Sequence, residues 1–371
     1  MRPSPGKFFL CGMAELPNNL QRTVIGLMSG TSMDGVDLAA CRFQRNSGHW
    51  SYTILQAETF PYSAEWKQRL TDAPYATADK VFETDAALGR FFGQLIQSFL
   101  RKSRIDVDLI ASHGHTLFHR PALGFTTQIG SGACIAAETG MDTVCDFRSK
   151  DVALGGQGAP LVPLGDKLLF GEYTACLNLG GIANISFEKQ GDRVAYDICP
   201  VNMALNPAAQ QLGLEYDPEG RNARSGNLNP HLLSSLSRLD YYREAGPKSL
   251  GREWYEKEFS PLLSACTDPV DLLKTLCEHI AETHAMELGK IAKVGRLLAT
   301  GGGALNGYLV ERIRDLSGWE IVVPERTLVD FKEALVFAFL GNLYLENEVN
   351  VLSTSTGSRR SHIGGALYRG E

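Results

Sequence analysis

The sequence predicts an α/β protein built as two lobes around a central cleft, and three observations carry that prediction. Its 371 residues are about twice the length of a usual domain. Two glycine-bearing hairpins, Val24 to Phe43 (VIGLMSGTSMDGVDLAACRF) and Ala175 to Phe187 (ACLNLGGIANISF), fall one in each half, and each joins two apolar, strand-like runs. After each hairpin, strand-like and helical patterns alternate, as they do in an α/β sheet. Either hairpin alone reads more readily as an ordinary glycine turn. The pair argues for a duplicated architecture in which both bends face one crevice.

The elements follow in order. Met1 to Thr23 has an FFLCGM patch too short for a signal peptide and is expected to be a loosely packed extension. Past the first hairpin, Ser51 to Phe60 reads as a strand. Asp79 to Lys102 then carries Val81, Leu88, Phe91, Phe92, Leu95, Ile96, Phe99 and Leu100 at helical spacing. Val107 to Ala111 is a short buried strand opening into SHGHTLFHRP, a usual position for site residues in an α/β sheet. Ile129 to Thr139 and Thr143 to Phe147 continue the alternation, and GGQGAPLVP (Gly155 to Pro163) interrupts it. Lobes over 24–163 and 164–371 are therefore expected, with the last segment packing back on the first. The second half brings the hairpin of 175 to 196, a polar insert from Asp217 to Lys257 and a helix near Val270 to Ala292. A strand, Arg296 to Ala299, runs into three glycines, and an apolar helix follows over Ala334 to Leu345.

Composition narrows the function classes. A net charge of −6 with no run of Lys or Arg argues against a nucleic-acid partner. No stretch of ~18 apolar residues exists to span a membrane. Eight scattered cysteines without a CxxC fit buried thiols in a reducing cytoplasm.

Chemistry concentrates in the bends. Glycine permits positive φ and close approach, and neighbouring hydroxyls and N–H groups act as donors, so the turn Gly30, Thr31, Ser32, Met33, Asp34, Gly35, Val36, Asp37 suits a phosphate. Gly180 and Gly181 are its counterpart. In LLATGGGALNGYL, Gly301, Gly302 and Gly303 lie between a strand and a helix with Asn306 one turn in, where adenine or ribose could rest against backbone. Tight strand-to-helix packing would equally call for these glycines. Neither GxxxxGK[ST] nor GxGxxG occurs, so the common nucleotide fingerprints do not explain them. His113, His115 and His119 invite a zinc reading, which a role in hydrogen bonding outweighs.

Strand-turn-strand cradles with a late GGG resemble those of the actin, hexokinase and Hsp70 superfamily, whose lobes are ribonuclease H-like. The likeness sharpens when whole motifs are compared. GLMSGTSMDGVD, SHGHTLFHRP, TTQIG, ETG, DFRSKDVALGGQGAPLVP, LNLGGIANIS, GPKSLGRE, TGGGALN and EALVFAFL follow one another as in the anhydro-N-acetylmuramic acid kinase family, over nearly all of Val24 to Tyr368. The resemblance implies two actin-like lobes with an ATP and substrate cleft, a homodimer, and a cytoplasmic role in cell-wall sugar recycling. Water would open the 1,6-anhydro bridge of anhydro-N-acetylmuramic acid, and the γ-phosphate of ATP would pass to the freed oxygen.

That resemblance also implies roles. The family's base is the aspartate of a DxGPGN motif, which here is Asp197 in Asp197-Ile198-Cys199-Pro200-Val201-Asn202. Both glycines are replaced, and side chains at 199 and 201 are expected to narrow the space for phosphate or sugar. Asn206 stands where relatives often carry Asp. Glu333, opening the last apolar helix, matches a recurrent glutamate and would face the sugar or complement the helix dipole. ATP implies Mg²⁺, for which Asp34 is the first choice and Asp37 the next. His113, Arg148, Asp151, Gln157, Asn202 and Lys248 are the motif-borne candidates for the substrate; Arg148 or Lys150 would meet its lactyl carboxylate. Two rivals stay open: an actin-like kinase for another sugar, and a nucleotide-binding regulator that has lost catalysis.

Overall fold

The apolar alternation of the first hairpin starts at Val24, but its strand begins at Leu20. A computed structural model describes residues 20–30, 33–244, 246 and 248–371. The last four residues of the expected extension 1–23 therefore belong to a strand, and the rest lies outside the described residues.

In chain order come β1 (Leu20–Ser29), β2 (Gly35–Asn46), β3 (His49–Pro61), α1 (Ala64–Asp72), α2 (Ala78–Ser103), β4 (Leu109–Arg120), β5 (Phe125–Ile129), α3 (Gly132–Thr139), β6 (Thr143–Cys145), α4 (Ser149–Ala153) and α5 (Val162–Leu169). The second half has β7 (Ala175–Leu179), β8 (Ile182–Lys189), β9 (Asp192–Pro200), α6 (Asn202–Gln210), α7 (Arg221–Ser225), α8 (Pro230–Ser237), α9 (Arg252–Trp254), α10 (Pro269–Ile291), β10 (Arg296–Thr300), α11 (Gly307–Ser317) and β11 (Glu320–Val322). α12 (Arg326–Leu345), α13 (Ser353–Thr356) and β12 (Ala366–Tyr368) close the chain.

The two sheets repeat one topology. In the first, β1, β2 and β3 form an antiparallel meander, β4 runs parallel beside β1, and β6 runs parallel beside β4. In the second, β7, β8 and β9 form the meander, β10 lies parallel beside β7, and β11 parallel beside β10. Both therefore have strand order 3-2-1-4-5 with the same directions, the ribonuclease H-like arrangement, and the duplication expected from the paired hairpins is present. β12 adds an antiparallel edge to β6, so the C-terminal segment does return to the first sheet.

Helical spacing places α2 as expected, with Leu88, Phe92, Ile96 and Phe99 fully buried against Ile25, Leu27, Val36 and Leu38 on the outer face of the first sheet. The other face is covered by α12, which is longer than its apolar run. Ala334 to Leu340 are all at most 1% exposed, as in a helix enclosed on every side. Gly26 permits that approach, because a Cβ there would overlap the Ala334 carbonyl. The same apolar cluster takes in Cys176 and Leu298 from the second sheet, so α12 is core for both lobes. Behind it, Lys332 and Asp166 of α5 form a buried ion pair at 2.7 Å, and Ser186 Oγ donates to Asp166 at 2.5 Å.

Two readings need correcting here. The strand expected over Val107 to Ala111 is not short, because β4 continues through SHGHTLFHR to Arg120, with Gly114 at φ 74° and an irregular register against β5. Glu333 does not open α12. The helix starts seven residues earlier at Arg326, so Glu333 is two turns from the N-terminal dipole.

Candidate active site

β1 and β4 run parallel, and the site residues of the first lobe gather where both leave the sheet core. Ser29 faces His115 across the ladder, with Oγ 3.0 Å from Nδ1, and also bonds Tyr62 Oη at 2.8 Å. The bend that follows is closed by Met33 N–H donating to the Gly30 carbonyl at 3.2 Å. Thr31 and Ser32 lie outside the described residues. Among the described residues of this bend, Met33 is left-handed (φ 57°). Gly35 is not left-handed; its hydrogen is required because a Cβ would sit 2.6 Å from the Phe60 carbonyl oxygen in the ladder with β3. Val36 is core, and Asp34 is open to solvent.

Carboxylates converge beside this bend. Asp37 accepts from Thr59 Oγ1 at 2.6 Å, and burial raises its pKa despite that bond, with Asp330 and Asp34 pushing the same way. Glu333 lies one turn along α12 from Asp330, on the same side of the helix. Its side chain is accessible, yet burial within the surrounding protein still raises its pKa, as for a carboxylate lining a deep cleft. Arg148 lowers that pKa and Asp37 raises it, which places hairpin, helix and guanidinium in one electrostatic neighbourhood. Asp330 was missed from sequence; its i, i+3 spacing to Glu333 is the signal, had the helix been extended back to Arg326.

Arg148 is the most constrained of the expected substrate residues. Nε donates to His113 Nε2 at 2.9 Å and Nη1 to the Gly158 carbonyl at 2.6 Å. Burial pulls its pKa down to about 10, opposed by Glu333 and Asp151. Lys150, the other cation of that motif, is exposed and donates to the Ile363 carbonyl. His113 was expected to bond the sugar, but both its nitrogens are engaged, Nδ1 with the Gly114 carbonyl at 3.0 Å. Asp151 is wholly buried: it accepts from Gly158 N–H at 2.7 Å and from Thr356 Oγ1 at 2.7 Å, and so pins the glycine-rich loop to α13. Gln157 stays exposed, its N–H donating to the Thr356 carbonyl.

In the second lobe the glycines form one packed unit. Gly180 and Gly181 turn β7 into β8 without positive φ, and their carbonyls accept from the N–H groups of Val201, Asn202 and Met203 at the start of α6. Little crowds Gly181, whose Cβ would meet only Met203 Cε at 4.0 Å. Gly301 is left-handed (φ 80°), and Gly303 packs on Leu179 and Val201. Gly302 faces Asn202, which donates from Nδ2 to the Leu179 carbonyl at 3.3 Å. Asn306 is not a turn inside a helix: its Oδ1 caps α11 by accepting from Leu309 N–H at 2.9 Å. The elements of the two sets meet through α12, which touches β1 and β4 of the first lobe and β10 and the Gly302–Leu305 turn of the second.

Asp197 sits on β9 opposite Asn184. Its Oδ2 accepts from Leu250 N–H at 2.8 Å, and burial raises its pKa against that bond, as suits a base. Lys248, expected at the substrate, is folded inward instead: Nζ donates to the Tyr241 and Glu244 carbonyls and lies 3.9 Å from Glu287. The two replaced glycines also read differently in the structure. Cys199 and Val201 are both fully buried, the thiol 3.9 Å from His284 Nδ1 and the valine against the Gly303 turn, so their side chains belong to the core of the second lobe.

The profile of the family described as Anhydro-N-acetylmuramic acid kinase matches residues 22–370. A relative of that name from Vibrio vulnificus (strain CMCP6) is 35% identical over 364 residues, covering 93% of this chain and 97% of its own. One from Coxiella burnetii (strain Dugway 5J108-111) is 36% identical over 368 residues, covering 94% and 97%. Among solved structures, the (R)-2-hydroxyglutaryl-CoA dehydratase component A of Acidaminococcus fermentans matches with a TM-score of 0.44 at 13% identity, covering 86% of this chain and 97% of that one. Matched almost from end to end by profile and relatives alike, the chain belongs to the anhydro-N-acetylmuramic acid kinase family.

Proposed function

We propose that this protein is an ATP-dependent kinase that opens the 1,6-anhydro ring of anhydro-N-acetylmuramic acid with water and phosphorylates the freed oxygen, giving N-acetylmuramic acid 6-phosphate in peptidoglycan recycling. Family membership supports the substrate. The observation that supports the chemistry is the cleft carboxylate Glu333 set among Arg148 and Asp37.

In this reading Asp197 takes a proton from water as the oxygen attacks C1. The C1–O6 bond breaks, and O6 attacks the γ-phosphorus while ADP departs. Glu333 orients the sugar, and Arg148 pairs with its lactyl carboxylate through donors not already used. The glycines at 30, 180, 181 and 302 let the nucleotide approach backbone, those at 35, 301 and 303 let the bends pack tightly on their own strands, and Asn202 steadies the second-lobe turn. The carboxylates fit Mg²⁺, which takes hard oxygen ligands and needs only one or two from protein. Asp34, open to solvent beside Asp37 and, among the described residues, without a bond like that of Asp37 to Thr59, is the better ligand. Bound Mg²⁺ would neutralise charge on the phosphates.

No helix among the described residues is long and apolar enough to cross a membrane. We place the enzyme in the cytoplasm, as a homodimer and without a nucleic-acid partner. Mass spectrometry of the product formed from anhydro-N-acetylmuramic acid, ATP and ¹⁸O-labelled water tests the reaction: one label and one phosphate are expected in the same molecule. Phosphate without label would mean direct phosphorylation of an existing hydroxyl, as in a kinase for another sugar.

A further inference from the structure

Arg148 lies at the end of a short chain of contacts that fixes its orientation. Its Nε can only donate, so His113 Nε2, 2.9 Å away, must accept, and the imidazole is neutral with its proton on Nδ1. That proton has an acceptor at 3.0 Å, the carbonyl of Gly114, a residue the strand holds at φ 74°. The imidazole is itself immobilised: His113 is 4% exposed, and its ring centroid lies 4.6 Å from that of Phe337, a fully enclosed residue of α12. The Arg148 guanidinium carbon lies 6.0 Å from the same phenyl ring. With Gly158 taking one Nη1 proton, two of the five guanidinium donors are committed, and the other three have no partner among the described residues.

We propose that His113 is a positioning residue for the sugar, its neutral imidazole holding the Arg148 fork in the orientation that presents the remaining N–H donors to the substrate carboxylate. The proposal rests on the reading of Arg148 given above. A histidine that touched the sugar itself would need a free nitrogen, and His113 has none. The arrangement also explains why a histidine is buried beside a guanidinium at all. Burial and then the Arg148 charge hold its pKa well below the usual value, so it stays a pure acceptor on that side.

The test compares His113→Phe, His113→Gln and Arg148→Met in the full chain, with KM for anhydro-N-acetylmuramic acid, KM for ATP, kcat and thermal midpoint measured for each. Removing the acceptor in His113→Phe should raise the sugar KM about tenfold while the ATP KM stays within about twofold. Glutamine can place an oxygen near the Nε2 position and should recover most of the loss. A wild-type sugar KM in a folded His113→Phe enzyme, or a Gln variant as poor as Phe, would overturn the proposal. Should His113→Phe fail to fold, the Gln variant decides alone, through rescue or loss of the sugar KM. Arg148→Met separates the two layers: an unchanged sugar KM there removes the anchoring role of Arg148, whereas a raised one beside a normal His113→Phe removes only the positioning role of His113.

Discussion

Replacing Gly301 by Ala tests whether the glycine unit of the second lobe has the tight geometry the nucleotide reading requires. Gly301 sits at φ 80°, ψ 161°, a region essentially restricted to glycine. An added Cβ would overlap Asn178 Oδ1 and come within 2.9 Å of the carbonyl carbon and oxygen of Leu179. The amide can swing away, but the backbone of β7 cannot move without disturbing its ladder with β10. Backbone strain of about 1–3 kcal/mol and overpacking of about 1–3 kcal/mol give a total of about 2–6 kcal/mol. At ~2–4 °C per kcal/mol for a lobe of this size, the thermal midpoint should fall by about 4–24 °C. Where the chain relieves strain by shifting the turn, the ATP KM should rise at least about tenfold with the sugar KM little changed. Scanning calorimetry with and without ADP and initial rates against ATP read both effects. A variant with native midpoint and native ATP KM would refute the packing argument and, with it, the nucleotide role of the turn.

Asp197→Asn should lower kcat by about 10² to 10⁴ while nucleotide binding, followed by calorimetric titration, persists; a normal kcat would remove Asp197 from the mechanism. Because burial raises the Asp197 pKa in the fold, its contribution to stability is present below the unfolded carboxylate value and is lost as pH rises through the folded one. The Asn variant should therefore unfold no earlier than wild type at neutral pH, and kcat of the wild type should fall on the acid side at a pH above the ordinary aspartate range. Lys332→Met leaves Asp166 buried without its cation and should cost about 3–5 kcal/mol by denaturant titration, whereas the double variant Asp166→Leu/Lys332→Met should regain most of it. Val201→Ala should cost about 1–3 kcal/mol yet leave kcat within about twofold, since that side chain packs on the core side of its loop; a large change in kcat would return it to the cleft wall.

Much of the fold was readable because the signals were local. The glycine bends, the α2 stripe and the strand before the GGG turn each follow from a short window of apolar period and turn chemistry. The repeated strand order was not readable, because which strands pair is decided between segments far apart in sequence, such as β1 with β4 or β6 with β12. Site chemistry divides along the same line. Gly301 carries its message in its own backbone angle. Lys248, Asp151 and His113 look in sequence like motif-borne candidates for the substrate. The structure shows them spent on Tyr241, Thr356 and Arg148, partners that no spacing rule connects to them.

The boundaries misjudged from sequence have a common cause. The start of α12 was set too late because RTLVDFKE lacks the all-round apolar character of the turns after it, and β4 was cut short because SHGHTLFHR is polar. Apolar period reports packing among apolar side chains, and both segments instead carry polar groups: the first turns of α12 bring Asp330 and Glu333 beside the hairpin, and β4 beyond Ala111 brings the buried His113 to Arg148 and the buried His115 to Ser29. An element that continues after its apolar pattern stops is carrying polar groups on a rigid backbone, which is what a site requiring fixed carboxylates and donors needs. In this chain, the failure of the pattern therefore marks the cleft more sharply than the pattern marks the core.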